Sequence, residues 1–216
     1  MSRVRVGVMI SGSGTNLQAL LDATADPDHP AQIAVVGADR HKAGGLDRAR
    51  RAGVPTFVVL KRDHADRAAF DLAVTRQLEQ HAVQWVCHAG YMKIVGAAYL
   101  ARFPQRILNI HPSLLPAFPG LRAQQQAFDA GVRLAGCTVH IADVGIDQGP
   151  IVAQGAVPVL PDDSPQTLQQ RILRMEHRLY PMVLRWAAQG RIAVVHGRVT
   201  VDLPPGDSTH LWAASP

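Results

Sequence analysis

Cysteines, aromatic residues and long apolar runs are all scarce in this sequence, and each shortage removes a class of protein. Only Cys87 and Cys137 occur in 216 residues. They are far apart and in apolar surroundings, which fits reduced thiols and argues against a disulfide framework or a cysteine metal site. Aromatics make up 5%, too few for a platform on which single-stranded nucleic acid stacks. No stretch approaches the ~20 apolar residues of a membrane span. The opening "MSRVRVGVMISGSG" carries arginines before an apolar run, but glycines cut that run to strand length, so a buried first strand is expected instead of a signal peptide. The expected setting is cytoplasmic. There is no H-E-x-x-H, no C-x-x-C and no G-x-S-x-G, so neither a metal centre nor serine hydrolysis is predicted.

What is present describes one α/β domain. Hydrophobic residues reach 47% and charged residues 18%, the balance of a chain that buries a core. Apolar runs alternate with helical patterns, which predicts a parallel sheet. Strands are expected at Val4–Ile10, Ile33–Ala38, Thr56–Leu60, Trp85–Ala89 and Ile107–Ile110, with helices at Asn16–Ala23, Gly45–Ala52, Asp66–His81 and Val95–Phe103. Beyond residue 120 the rhythm changes. A short helix near Ala123–Ala130 leads to two runs, Gly136–Ile141 and Ile151–Val159. Ser164-Pro165 then opens a long helix to about Ala188, with Ser as N-cap and Pro at the first helical position. Two short strands follow, and 204–216 is expected to be a frayed tail. The predicted fold is an open, mostly parallel Rossmann-like sheet flanked by helices, with some antiparallel strands in its C-terminal part.

The net charge of +5 favours an anionic partner. The basic residues are scattered, and the densest cluster, "DRARRAG" at 47–53, reads as the solvated face of a helix. A small phosphorylated or polycarboxylated ligand accounts for the charge as well as nucleic acid does.

Four stretches could carry chemistry. "MISGSGTNLQAL", Met9–Leu20, is a strand, a glycine-containing turn and a helix start. Amides at such a start bind anions, but Leu17 stands where a dinucleotide fingerprint needs its third glycine. The stretch therefore suggests a phosphate, or else a plain tight turn. In "RILNIHPSLLPAFPG", residues 106–120, Asn109 and His111 share the parity of a strand. They project together at its carboxyl end, where open α/β sheets bind ligands. Asn can donate to an oxyanion, and His can donate or move a proton. "DVGIDQGP" places Asp147 in a loop, where it either caps a turn or orients His111. Glu176 lies along a largely apolar stripe with Ile172, Leu173 and Tyr180. It either reaches water at the stripe's edge or needs a buried partner.

Together these stretches resemble the phosphoribosylglycinamide (glycinamide ribonucleotide) formyltransferase family. The matching segments are "ISGSGTNLQAL", "HAGYMKIV", "ILNIHPSLLPAFPG", "GCTVHIADVGIDQGPIV" and "RILRMEHRLYP", in the family's order. "NIHPSLLP" followed by a "D-x-GP" loop marks folate-dependent formyltransferases as a superfamily, and "SGSGTN" narrows it to the purine branch. The resemblance implies transfer of a formyl group from the co-substrate 10-formyltetrahydrofolate to the amine of glycinamide ribonucleotide, without a metal, by a monomer or homodimer. It implies Asn109, His111 and Asp147 as the catalytic trio. It assigns Gly14, Thr15 and Asn16 to the ribose phosphate, with Arg67 approaching it, and Glu176 to the glycyl end. Met92, Lys93, Ile94 and Val95, with the loop Ala142, Asp143, Val144, Gly145, Ile146 and Asp147, would line the pterin pocket, largely through backbone groups.

Within one domain, 1–216, residues 1–105 would then hold the phosphate, 106–203 the catalytic and folate-binding half, and 204–216 the tail. One departure is visible: Gln124 stands where relatives usually have His within "A-H-x-Q-A". The alternatives are another folate-dependent formyltransferase or a formyltetrahydrofolate hydrolase. A methionyl-tRNA formyltransferase normally carries an extra C-terminal tRNA-binding domain, and the hydrolase an extra N-terminal one; neither extension is expected here. A nicotinamide-dependent oxidoreductase is disfavoured by Leu17, and a nucleic-acid-binding module by the scattered charge.

Overall fold

The computed structural model describes residues 2–212. In it the apolar runs become eight strands of one sheet. β1 (Val4–Ile10), β2 (Ala31–Ala38), β3 (Thr56–Val58), β4 (Trp85–His88) and β5 (Ile107–His111) are joined by helices α1 (Thr15–Thr24), α2 (Gly45–Arg51), α3 (Arg67–Gln80) and α4 (Ala97–Arg102). The chain continues through α5 (Ala123–Asp129), β6 (Leu134–Ile141), β7 (Ile151–Pro158) and the long α6 (Pro165–Ala188). It then forms a separate antiparallel pair, β8 (Ile192–Val195) with β9 (Arg198–Val201), and ends in β10 (His210–Trp212). The sheet order is β10-β7-β6-β5-β4-β1-β2-β3, parallel except where β6 runs against β5 and β7.

Both faces of the sheet are covered, which is why its central strands are apolar almost throughout. Val6, Val8 and Ile10 of β1 pack with α1, α2 and α6, whereas Met9 packs on the opposite side with α3 and α4. α6 lays Leu168, Ile172, Met175, Leu179, Val183 and Trp186 against the sheet at helical spacing. Its start is fixed by a reciprocal capping box between Ser164 and Thr167. The connections leave β1 in one direction and β4 in the other, and these two strands are neighbours. A crevice therefore opens at their carboxyl ends, the ligand position of open α/β sheets.

Of the boundaries that differ from expectation, two show a clear physical reason. α4 begins at Ala97, not Val95, because Gly96 is extended and donates its N–H to the Asp71 carboxylate (2.7 Å). The expected frayed tail is corrected over 204–212. Its β10 adds to the sheet edge beside β7, Gln154 donates its backbone N–H to the Thr209 carbonyl, and the buried Trp186 indole N–H donates to Asp207 (2.6 Å). Residues 213–216 of that expected tail lie outside the described residues. A buried indole N–H left without an acceptor costs about 1–3 kcal/mol. Asp207→Ala is therefore expected to lower unfolding free energy by roughly that amount in urea titration, where a frayed tail would give no change.

Candidate active site

The register of the sheet assembles the site. Met9, His88, Asn109 and His140 are successive partners on β1, β4, β5 and β6, so their side chains share one row on the α3/α4 face. Asn109 and His140 are directly opposite, and the Asn109 amide Nδ2 donates to His140 Nε2 (3.0 Å). The other His140 nitrogen, Nδ1, lies 3.1 Å from the Ile141 carbonyl. That leaves the second amide hydrogen of Asn109 for a further acceptor. His88 is fully buried, with Nε2 3.2 Å from the Tyr99 hydroxyl. Burial, with His140 nearby, pushes its pKa down to about 3, so it stays neutral.

His111 is two residues beyond Asn109 at the end of β5. Its Nδ1 lies 3.2 Å from Asp147 Oδ2, and its Nε2 donates to the Phe118 carbonyl (2.9 Å). Both partners are acceptors. Asp147 Oδ2 also accepts from the Gly120 N–H (2.8 Å), while Oδ1 faces His140 Nε2 at 3.7 Å. Burial pushes the Asp147 carboxyl upward, but the His140 and Gly120 contacts and the His111 ring outweigh it and hold it below the usual carboxylate range. Asp147 has a left-handed backbone (φ 54°). Gly149, two residues on, has no room for a β-carbon, which would strike the Ile141 carbonyl.

The proline-rich loop after His111 is stitched down rather than merely stiff. Thr138 donates its hydroxyl to the Ser113 carbonyl (2.7 Å) and accepts from the Leu115 N–H (3.1 Å), while Gln154 donates to the Leu115 carbonyl (2.9 Å). Ser113 in turn donates to Ala117 (2.6 Å). These bonds fix the Phe118 carbonyl and Gly120 N–H that meet His111 and Asp147.

On the other side of the crevice, Gly14 caps α1 in the left-handed region (φ 73°). A β-carbon there would lie 2.6 Å from the Gly45 Cα of α2. No side chain caps the helix, so the amides of its first turn are available to an anion. Asn16 donates Nδ2 to Glu176 Oε2 (2.7 Å), and its Oδ1 is buried without a hydrogen-bond partner among the described residues. Glu176 is buried, so of the two readings above it is the partnered one that holds. Burial, only partly offset by the Asn16 hydrogen bond, pushes its pKa up to about 7. One turn along α6 the Tyr180 hydroxyl sits within 3.1 Å of the His88 carbonyl and 3.0 Å of that of Leu108, tying the helix to β4 and β5 beneath the row.

The segment expected to line a pterin pocket is bound to the turn. Ser11 Oγ accepts from the Met92 N–H (2.8 Å), and the Ser11 N–H donates to the Gly90 carbonyl (3.0 Å). Lys93 pairs with the buried Asp39 (3.1 Å), which Arg40 also contacts. Met92 and Ile94 are exposed, as are Val144 and Ile146 on the second loop, whereas Val95 is buried and Ala142 packs beside α3 and α4. Asp143 accepts from the Val144 N–H (2.7 Å), and Gly145 packs against Gln148. Arg67 pairs with Asp71 at 3.8 Å and lies over Gly96, on the side of this segment. The cation that meets the turn is Arg48, which donates Nε–H to the Ser13 carbonyl (2.9 Å), beside the Gly45 N–H that donates to the Gly12 carbonyl (3.1 Å). Gln124 is half-buried on α5.

The structure brings Asn109, His111 and Asp147 to one place and Asn16 with Glu176 to another. Sequence reasoning misses His140, Ser11, Asp39 and Arg48. His140 had a signal: it is a polar residue in the apolar strand "GCTVHI", although only strand pairing puts it opposite Asn109. Among the described residues no group of His, Cys, Asp or Glu could hold a metal ion, and no helix is long and apolar enough to cross a membrane. Both cysteines are free and buried, and burial pushes the Cys87 thiol up to about 12.

Because the Glu176 pKa is raised, the fold favours its protonated form. Ionisation then costs stability progressively from about pH 4.5, the ordinary value, to about pH 7. Glu176→Gln removes this cost and keeps the acceptor for Asn16. Its melting temperature relative to the unaltered chain is expected to rise between pH 5 and pH 8, toward a gain of order 3 kcal/mol. A pH-independent difference would contradict the buried, neutral carboxyl.

Comparison with known proteins follows the same residues. The formyl transferase family matches residues 4–184, from β1 into α6. The chain is 41% identical over 198 residues to the phosphoribosylglycinamide formyltransferase of Haemophilus influenzae, covering 92% of this chain and 93% of that one. It is 45% identical over 190 residues, 87% of its own length, to the trifunctional purine biosynthetic protein adenosine-3 of Drosophila melanogaster, and spans 14% of that protein. The crystal structure of glycinamide ribonucleotide transformylase 1 from Symbiobacterium toebii is similar at a TM-score of 0.90 and 52% identity, over 92% of this chain and 94% of that one. With Asn16, Asn109, His111, His140, Asp147 and Glu176 all inside the matched span, the chain belongs to the formyl transferase family.

Proposed function

We propose that the chain transfers the formyl group of 10-formyltetrahydrofolate to the primary amine of glycinamide ribonucleotide, giving formylglycinamide ribonucleotide and tetrahydrofolate in purine biosynthesis. The observation that carries the reading is the joint placement of Asn109, His111 and Asp147. Two N–H donors stand at the end of one strand, and a carboxylate kept ionised by its surroundings orients one of them. The amine nitrogen attacks the formyl carbon and its electron pair forms the new C–N bond. The carbonyl electrons move to oxygen, and on collapse the bond from carbon to N10 breaks while the amine proton passes to N10. Asn109 and His111 stabilise the oxyanion, a contribution of about 3–4 kcal/mol per donor in comparable sites. His111 Nε2–H is spent on the Phe118 carbonyl in this arrangement, so the formyl oxygen must compete with that carbonyl.

Asp147 holds the ring in the donating form and lies where it can relay the amine proton through water. The uncapped turn Gly14–Asn16 takes the phosphate, and Glu176 takes the glycyl amine end. The pterin binds against Met92–Val95 and the loop 142–147, where Met92, Ile94, Val144 and Ile146 expose apolar side chains. Two substrates held in one crevice also gain from positioning alone. The positive net charge and two buried reduced thiols suit small anionic substrates in a cytoplasmic setting.

The test is a coupled assay with 10-formyltetrahydrofolate and three acceptors: glycinamide ribonucleotide, water and charged initiator tRNA. Turnover is expected with the ribonucleotide. Transfer to water or tRNA with none to the ribonucleotide overturns the reading. His111→Ala and Asp147→Asn are each expected to lower kcat by about a hundredfold or more. A kcat within a few-fold of the unaltered chain in either would remove the trio from the mechanism.

A further inference from the structure

Beyond the carboxyl end of β4 the chain runs to α4 through residues 91–96, which form neither helix nor strand. The backbone N–H and C=O groups of Lys93, Ile94 and Val95 make no hydrogen bond among the described residues. A stretch with nothing in its own backbone to fix it is ordinarily mobile, yet side chains from three other elements pin this one at both ends and in the middle. Ser11, after β1, accepts from the Met92 N–H (2.8 Å). Asp39, after β2, meets Lys93 Nζ (3.1 Å), and Asp71 of α3 accepts from the Gly96 N–H (2.7 Å). Ser11 also adjoins the phosphate-binding turn, whereas Asp71 serves the donor side alone. We propose that Asp39 and Asp71 are positioning residues for the formyl donor, holding residues 92–96 in the shape that binds the pterin ring. The inference rests on the donor assigned above and adds two carboxylates that the chemistry does not use.

Two observations single out these groups. Both are buried, at 7% and 2% exposure, and a buried charge is kept against a desolvation cost. Burial pushes both carboxyls up. At Asp39 the hydrogen bonds of Arg40, Lys93 and Ser11 outweigh it and hold the group below the usual carboxylate range, whereas at Asp71 the Gly96 N–H and Arg67 offset it only in part. Each carboxylate is also fitted to the residue it holds. Gly96 has no room for a β-carbon, which would lie 2.6 Å from Asp71 Oδ2. Lys93 is drawn back onto Asp39 with its side chain 29% exposed, so its ammonium ties the segment down instead of extending into water.

Between these anchors Val95 is buried, while Met92 and Ile94 turn outward. Three consecutive residues therefore present open backbone donors and acceptors along a fixed edge. A pterin carries ring nitrogens, an amino group and a carbonyl in one plane, an array suited to backbone groups whose spacing is set before binding. Fixing the edge in advance removes an ordering cost from association, so the effect falls on affinity for the donor. Asn109, His111 and Asp147 make their hydrogen bonds on other segments, so transfer from a bound donor should keep its rate.

Tetrahydrofolate is the probe, titrated calorimetrically into the full chain and into Asp71→Ala, Asp71→Asn and Asp39→Asn. Asp71→Ala removes the acceptor of the Gly96 N–H and is expected to weaken binding about tenfold, because the ligand must then order the segment itself. Asp71→Asn keeps an oxygen there and should recover most of the affinity. Asp39→Asn, which loses the ion pair with Lys93, should fall between. In turnover, KM for 10-formyltetrahydrofolate should rise by the same factors, with kcat and KM for the ribonucleotide within twofold. Affinity for tetrahydrofolate within twofold of the unaltered chain in both Asp71→Ala and Asp39→Asn overturns the proposal. So does a fall in kcat with KM for the donor unchanged, or an equal rise in KM for both substrates, since either would make these residues general braces of the fold. If Asp71→Ala does not fold, Asp39→Asn decides by the same criteria. Absence of tetrahydrofolate binding by the unaltered chain refutes the assigned donor and the proposal with it. Binding that depends on Asp39 and Asp71, without formylation of the ribonucleotide, would refute the proposed reaction and leave this role standing.

Discussion

The Asp147 carboxylate is the point on which the site's geometry depends. Its two oxygens meet three segments that the chain delivers separately: the end of β5 through His111, the proline loop through the Gly120 N–H, and β6 through His140. To reach them Asp147 adopts a left-handed backbone, a conformation that costs a non-glycine residue roughly 1–3 kcal/mol. Hydrogen bonds to a half-buried carboxylate are stronger than those between neutral groups and can offset such strain. The loop is therefore set by its charge more than by apolar packing, since Val144 and Ile146 on it remain exposed. Loss of the charge would release His111, the Gly120 end of the proline loop and the wall of the pocket together.

Around this carboxylate the fold keeps its other buried ionisable groups neutral or paired. His88 stands in the row as a neutral ring, Glu176 is pushed toward its protonated form, and Asp39 is matched by Lys93 and Arg40. The ionic group next to Asn109 and His111 is thus Asp147, and the low dielectric of the row strengthens its effect on the His111 ring. The Asp39–Lys93 pair and the Ser11–Met92 hydrogen bond also join the turn after β1 to the segment after β4. These contacts tie the two walls of the crevice together, which suits a direct transfer between two aligned substrates.

Much of this was legible in the residues. Alternating apolar runs gave the strands, the Ser164-Pro165 pair marked the start of α6, and the shared parity of Asn109 and His111 placed them on one face. Each of these depends on neighbours a few residues away, where backbone geometry fixes the spacing. The end of the chain was misjudged because "PPGDSTHLW" has turn chemistry and only a short apolar stretch. Its order comes from an exposed sheet edge at β7 and an indole N–H on α6, neither of which is local to it. Asp147 could be recognised as a carboxylate in a loop, but its partners could not, since a separation along the chain neither requires nor forbids a contact.

By itself, then, the sequence determined the α/β alternation, the uncapped glycine turn and the polar pair at the end of β5, all of them consequences of short-range sterics and periodicity. Only the tertiary structure decided that His140 stands opposite Asn109, that Asn16 rather than water meets Glu176, and that Arg48 rather than Arg67 lies against the turn. Those pairings follow from strand register and helix packing. These are set by the burial of the whole core, which no local stretch of residues encodes.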